Sequence, residues 1–213
     1  MPAPALPAAP ANLTVVTRCT LTLSDELPAP ARLAALAAQY SLVALRPTTA
    51  PQLQQACTLL ACDIISLDFS ARLPFALKHR TVGAALLRNI VFEICYAPAI
   101  DSTAARRNLL QNAAALVRAT RGGRGIVVSS EARQALTLRA PNDVMNLAVM
   151  WGLGPEKAKD AVSGSARATV RQAEERRRVT AAAAEGDSGA RDERKRKPET
   201  QGGGMGKKGK QVV

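Results

Sequence analysis

Five short segments rich in β-branched and apolar residues, "LTVVTRCTLTL", "SLVALRP", "DIISLDF", "VFEICYA" and "GIVVSS", recur along the chain with helix-like stretches between them. No other feature restricts the fold as much. The spacing predicts helices over 30–40, 51–62, about 80–89 and 102–120, and two more over 142–151 and 155–163 beyond the last clear strand. Their starts carry proline in the first turn, or Asp101 or Ser102 as a cap. Strand, helix, strand at this spacing calls for right-handed crossovers and a parallel α/β sheet. Five strands, or six if "RATVR" is counted, fall short of an eight-stranded barrel, which leaves an open sheet or an incomplete barrel.

A chain of 213 residues with 47% hydrophobic content can bury one sizeable core. The division expected is a disordered Pro/Ala leader over 1–12, a domain over 13–179 and a disordered basic tail over 180–213, the tail being too poor in apolar residues to fold alone. Aromatic residues make up only 3%, so stacking platforms for unpaired bases are scarce. The net charge is +12, and from Thr180 onward eight Lys and Arg face five Asp and Glu, so nine of those charges lie on residues 1–179. A domain this basic expects a polyanionic partner, nucleic acid or an acidic protein surface. The tail run Arg194, Lys195, Arg196 and Lys197 reads either as a nuclear localisation signal, with Arg176 to Arg178 as an upstream half, or as solvated charge. The four cysteines form no C-x-x-C pair, which fits a reducing compartment, and no apolar run approaches the roughly 18 residues of a membrane span.

Catalytic chemistry is poorly represented. The single histidine, His79, lies in a Lys-His-Arg context that favours a surface position, and one histidine cannot supply the His/Asp/Glu set of a barrel metal hydrolase. No phosphate-binding loop, dinucleotide fingerprint or nucleophile elbow is present. Asp68 and Glu93 lie on or near strands without a third partner, and are expected as ion-pair members. In "RGGRG" the glycines precede a strand and fit a helix end better than a phosphate cradle. "GLGPEKAKDAV" reads either as a helix-hairpin-helix whose Gly152 and Gly154 amides meet a DNA phosphate, or as one helix ending at Gly152 and another beginning at Pro155.

The predicted helix 102–120 is amphipathic. Ala105, Leu109, Ala113, Leu116 and Val117 share one face, while Arg107, Gln111 and Arg118 lie opposite, flanked by Asn108 and Arg121. That polar stripe suits a phosphate backbone or is an ordinary solvated face. Arg106 falls near the apolar face in the first turn, where the helix dipole disfavours a cation, so it is expected to meet an anion: Glu93 or Asp68 in a buried pair, or a bound phosphate.

The pieces "RLPF", "FEICYAPAIDS", "ARRNL", "RATRG", "VVSSEA" and "LRAPNDVMNLA" together resemble the thirty-kilodalton protein subunit family of ribonuclease P and ribonuclease MRP, over about residues 13–173. The resemblance implies a TIM-barrel-like (β/α) fold with no metal, no cofactor and no catalytic residue of its own. It also implies a scaffold for ribonuclease P/MRP RNA, with precursor tRNA met indirectly and a small partner subunit among the other protein subunits. Nuclear and nucleolar residence, with no membrane partner, belongs to the same reading. Where the family has further strands before "VVTRCTLTLSD", this chain has its Pro/Ala leader, so the barrel is expected to be incomplete and its strand edge to call for a cover. Where the family ends on an apolar strand finishing in histidine, this chain has "ARATVRQAEERRR" with Gln172 at that place, open to either a strand or a charged helix. Arg106, Arg107, Asn108, Arg118, Arg121 and Arg124 are the first candidate RNA or partner contacts, and Arg72, Lys78, Arg80 and Arg88 a second patch. The competing reading is a metal-dependent phosphoesterase-like hydrolase with its site on the barrel top.

Overall fold

The computed structural model describes residue 10, residues 12–100 and residues 102–195, with side-chain surroundings through residue 180. Strands β1 (Arg18–Thr22), β2 (Leu42–Arg46), β3 (Ile64–Ser66), β4 (Val91–Cys95) and β5 (Ile126–Ser129) form one sheet in the order β1-β2-β3-β4-β5. Every neighbouring pair is parallel, in registers such as Ala44 opposite Ile64 and Glu93 opposite Val127. Each crossover is made by one helix: α1 (Pro30–Gln39), α2 (Ala50–Thr58), α3 (His79–Leu87) and α4 (Thr103–Ala119). A parallel sheet in sequential order with a helix after each strand is an open arc of a TIM-barrel-like α/β fold. After β5 come α5 (Pro141–Met150), α6 (Pro155–Lys159), a π turn at Asp160–Gly164 and α7 (Ser165–Lys195).

The period of two along each strand sorts the sheet into two unlike faces. Leu45, Ile65, Phe92, Ile94, Ile126 and Val128 face the helices and join the core with Leu53, Val82, Leu109 and Leu116. The alternate positions carry Arg18, Arg46, Ser66, Glu93 and Ser129 beside Ala44, Ile64, Cys95 and Val127, so the other face sets charged and hydroxyl groups among apolar ones. The helices start where their sequences say they should. Thr49 and Gln52 form a reciprocal capping box at α2, Ser102 accepts the Ala105 amide at α4 (3.4 Å), and proline stands in the first turn of α1, α2, α5 and α6. The α4 face expected to pack does so, with Leu109, Ala113, Leu116 and Val117 buried.

Two glycine-bearing segments read as helix ends. After α4 the Gly122 amide donates to the Val117 carbonyl (3.0 Å) and the Gly123 amide to the Thr120 hydroxyl (3.1 Å). A Cβ on Gly123 would lie 1.9 Å from Leu153 Cδ2, which is why the close approach of this turn needs glycine. After α5 the Gly152 and Leu153 amides return to the carbonyls of Val149 (2.9 Å) and Ala148 (3.3 Å), with Gly152 at φ +97°. These amides close a helix, and this corrects the alternative in which Gly152 offers its N–H to a DNA phosphate.

Two expectations for the chain end change. "RATVR", weighed as a sixth strand, lies inside α7, where Thr169 and Ala173 are the buried residues. Arginine and alanine favour helix, and no period-two apolar pattern opposes them. Within 180–213, read as a disordered tail, α7 extends through Lys195. The compact unit closes at Arg177, and the segment from Arg178 is a second unit. Of the tail run, Arg194 and Lys195 end α7, whereas Arg196 and Lys197 lie outside the described residues, as Asp101 does. Among the described residues no helix is long and apolar enough to cross a membrane.

Candidate nucleic-acid interface

Parallel strands give the sheet two distinct ends. Loops after the strands gather at the C-terminal end, which we call the top, and loops before them at the bottom. The structure distributes the ten predicted contact residues between the two. Arg72, Lys78, Arg80, Arg106, Arg107 and Asn108 stand on the loop after β3 or the first turns of α3 and α4, at the top. Arg88, Arg118, Arg121 and Arg124 stand where α3 and α4 end, at the bottom. Helix α4 connects the two groups. Its 17 residues extend about 25 Å at 1.5 Å per residue, and Arg107, Gln111 and Arg118 are exposed along it. Arg107, Arg118, Arg121 and Arg124 make no ion pair among the described residues. His79 opens α3 and is exposed.

Several predicted contacts already have work inside the fold. Arg106 meets neither Glu93 nor Asp68, which corrects the expected buried pair. It is exposed, and its Nε and Nη2 donate to the carbonyls of Ala99 (3.3 Å) and Ile100 (3.2 Å). The tight turn Ala97–Ala99 before α4 leaves carbonyls that a nearby guanidinium satisfies locally. Arg88 donates to the carbonyls of Ala56 (3.3 Å) and Leu60 (2.7 Å), and so closes the end of α2. Asn108 donates to the Ser70 carbonyl (3.0 Å) and Asn112 to that of Ala71 (2.9 Å), which pins the loop bearing Arg72 against α4. Asp68 is exposed and accepts the Ser70 amide (3.0 Å), and among the described residues it makes no ion pair.

Glu93 is an ion-pair member, with a partner 75 residues away. Arg18 on β1 forks onto both its carboxylate oxygens (Nη2 to Oε2 2.6 Å), and Ser129 donates to Oε1 (2.8 Å). Burial pushes the Glu93 carboxyl up, but hydrogen bonds and charge from Arg18, with the Ser66 and Ser129 hydroxyls, outweigh it and hold the group below the usual carboxylate range. Arg46 on β2 continues the network to the Ser66 hydroxyl (3.1 Å) and to Glu131 (2.8 Å), which stands at φ +51° just past β5. The face away from the helices is thereby held from β1 to β5 by Arg18, Arg46, Ser66, Glu93, Ser129 and Glu131. Apart from Glu93, the sequence reading passed these over, although the alternation in "RCTLT", "LVALR" and "VFEIC" sets Arg18, Arg46 and Glu93 on one face. Among the described residues no group of three His, Cys, Asp or Glu side chains is placed to hold a metal. Burial raises the Cys57 and Cys62 thiols to about 12, far from thiolate chemistry at neutral pH.

Comparison with known proteins decides what kind of chain carries this arrangement. The family model described as RNase P subunit p30 matches residues 2–178. The chain belongs to this family. It is 43% identical over 166 residues to a protein of Schizosaccharomyces pombe named probable ribonuclease P protein subunit 3, covering 78% of this chain and 70% of that one. It is 34% identical over 169 residues to ribonuclease P protein subunit p30 of Mus musculus, covering 76% of this chain and 61% of that one. Among solved structures it is similar to a chain in a cryo-EM structure of archaeal ribonuclease P with mature tRNA, with a TM-score of 0.65 over 76% of this chain and 71% of that one. At 13% identity that likeness supports the fold alone.

Proposed function

We propose that this chain is a non-catalytic subunit of ribonuclease P, and of the related MRP particle, that binds RNA on the outer wall of its barrel arc. The observation that carries this reading is the guanidinium stripe of Arg107, Arg118, Arg121 and Arg124, without an ion pair among the described residues, which runs from top to bottom along α4 and the turn after it. Arginines fixed on a rigid helix present forked donors to phosphate oxygens without first breaking an internal pair. In the particle, the RNA would carry the chemistry of 5′ leader removal from precursor tRNA, and the MRP form would act on ribosomal RNA precursors. The protein would brace that RNA together with a small partner subunit. Residues 13–179 form the RNA-binding portion in this reading, with 1–12 and 180–213 as flanks. The basic run Arg194 to Lys197 would direct the chain to the nucleus and nucleolus.

The test is the salt dependence of RNA binding. Replacing Arg107, Arg118 and Arg121 together by glutamine is expected to weaken binding at every salt concentration. It should also flatten the slope of log affinity against log salt by about 2, since each phosphate contact contributes roughly 0.7 to 0.9. An unchanged slope contradicts the assignment of this face.

A further inference from the structure

The top of the arc holds a cleft of about 360 Å³ between the ends of four strands. Arg46 at the end of β2 lines it, Asp68 and Ser70 follow β3, Ala97 and Pro98 follow β4, and Glu131, Arg133 and Gln134 follow β5. Two cations and two carboxylates line it, so it is balanced in charge, and a phosphate entering it would meet both carboxylates. The unbalanced cations stand outside it: Arg72 farther along the loop after β3, and Arg106 and Arg107 in the first turns of α4. Cations around a neutral, hydrogen-bonding hollow would hold a nucleic-acid backbone at the rim and admit a base.

Resting on the RNA-binding reading above, the geometry points to this cleft as a pocket for one unstacked guanine nucleotide of the bound RNA. The two walls ask for opposite chemistry. The Asp68 carboxylate accepts, and its Oδ1 holds Ser70 while Oδ2 has no hydrogen bond among the described residues. On the other wall the Arg133 guanidinium and the Gln134 amide make no side-chain hydrogen bond among the described residues. Guanine presents adjacent N1–H and N2–H₂ donors on one edge, which a carboxylate accepts, and O6 and N7 acceptors on another, which an arginine reads with two bonds. Adenine, cytosine and uracil each lack one half of that pattern. Strands β3 and β5 stand two spacings apart, about 10 Å, which admits a flat base with a hydrogen bond at each edge. Ala97 and Pro98, between those walls, supply an apolar surface for the base face, and the volume suits a nucleotide. Glu131, held in the left-handed region, is paired with Arg46 across the cleft lining and neutralises it there.

The experiment uses the full chain and single-stranded uridine oligonucleotides that carry one central G, A, C or U, with affinity followed by fluorescence anisotropy. The central guanine is expected to bind roughly 10-fold more tightly than the other three. Asp68→Asn keeps the acceptor for Ser70 but replaces half the carboxylate by a donor, and is expected to bring the ratio near one while leaving the salt slope unchanged. Equal affinity for all four bases, or a preference that survives Asp68→Asn, overturns the pocket and leaves the α4 interface standing. Failure of every oligonucleotide to bind overturns the RNA-binding reading itself.

Discussion

Replacing Arg18 by methionine is expected to destabilise the chain by about 3 kcal/mol and to reverse the slope that Glu93 contributes to stability against pH in the acid range. Glu93 is 2% exposed, and Arg18 supplies both its forked hydrogen bonds and its countercharge. Removing one partner of such a pair leaves a buried carboxylate whose desolvation only the Ser66 and Ser129 hydroxyls offset. The figure sits at the low end for a buried pair, because Arg18 itself is 28% exposed and part of its interaction is screened. In the native chain the folded Glu93 pKa lies below its unfolded value near 4.5. Its contribution is therefore present above that pH and lost as pH falls through the folded pKa. Without Arg18, burial dominates and the folded pKa rises above the unfolded one. The contribution is then present below about pH 4.5 and lost as pH rises through the new value. Urea unfolding of Arg18→Met across pH 3.5 to about 7 reads both effects. A variant whose stability rises with pH as steeply as the native chain's contradicts this assignment.

Asp63→Ala is expected to cost about 2 kcal/mol and to loosen the first turns of α7 from the bottom of the sheet. Asp63 is 4% exposed at the start of β3, where one oxygen accepts the Val43 amide (2.9 Å) and both accept the Arg176 guanidinium (Nη2 to Oδ2 2.8 Å). The truncation strands a buried backbone N–H, which is the larger loss. Arg176, 37% exposed, regains water and contributes less. Gln172, which donates to the Asn89 carbonyl (3.3 Å), is the second tie between α7 and the same end of the fold. Amide hydrogen exchange should therefore rise at Val43 and over residues 165–177 while β4 and β5 stay protected. Unchanged protection at Val43 contradicts the role given to Asp63.

The parts of this fold legible in sequence are those with local signals. β-branched runs marked the five strands to within a few residues, and apolar positions at helical spacing marked the buried face of α4. Proline in first turns and glycine at φ above zero marked helix starts and ends such as Pro141 and Gly152. Pairings between distant residues carried no such signal. Arg18 finds Glu93 across 75 residues and Arg176 finds Asp63 across 113, and only the assembled fold brings them together. Arg106 was misjudged for a related reason. Its place on the helix wheel gave its direction at Cβ, but a long guanidinium also reaches carbonyls of the preceding turn, and those were nearer than any carboxylate. The top cleft draws on loops after four strands, each unremarkable alone, so it emerged only with the topology. For the candidate RNA contacts, the sequence pointed to the exposed stripe but could not separate Arg107 and Arg118 from Arg88 and Asn108, whose donors hold backbone carbonyls.

The most direct measurement of the central claim is to recover the full tagged chain from nuclear extract under mild salt, sequence the RNA bound to it, and repeat with the Arg107, Arg118 and Arg121 glutamine variant. The native chain is expected to enrich the RNA components of ribonuclease P and MRP, with precursor tRNA at lower yield, and the variant to lose most of that enrichment at raised salt. Bound RNA indistinguishable from that on untagged control beads would contradict it.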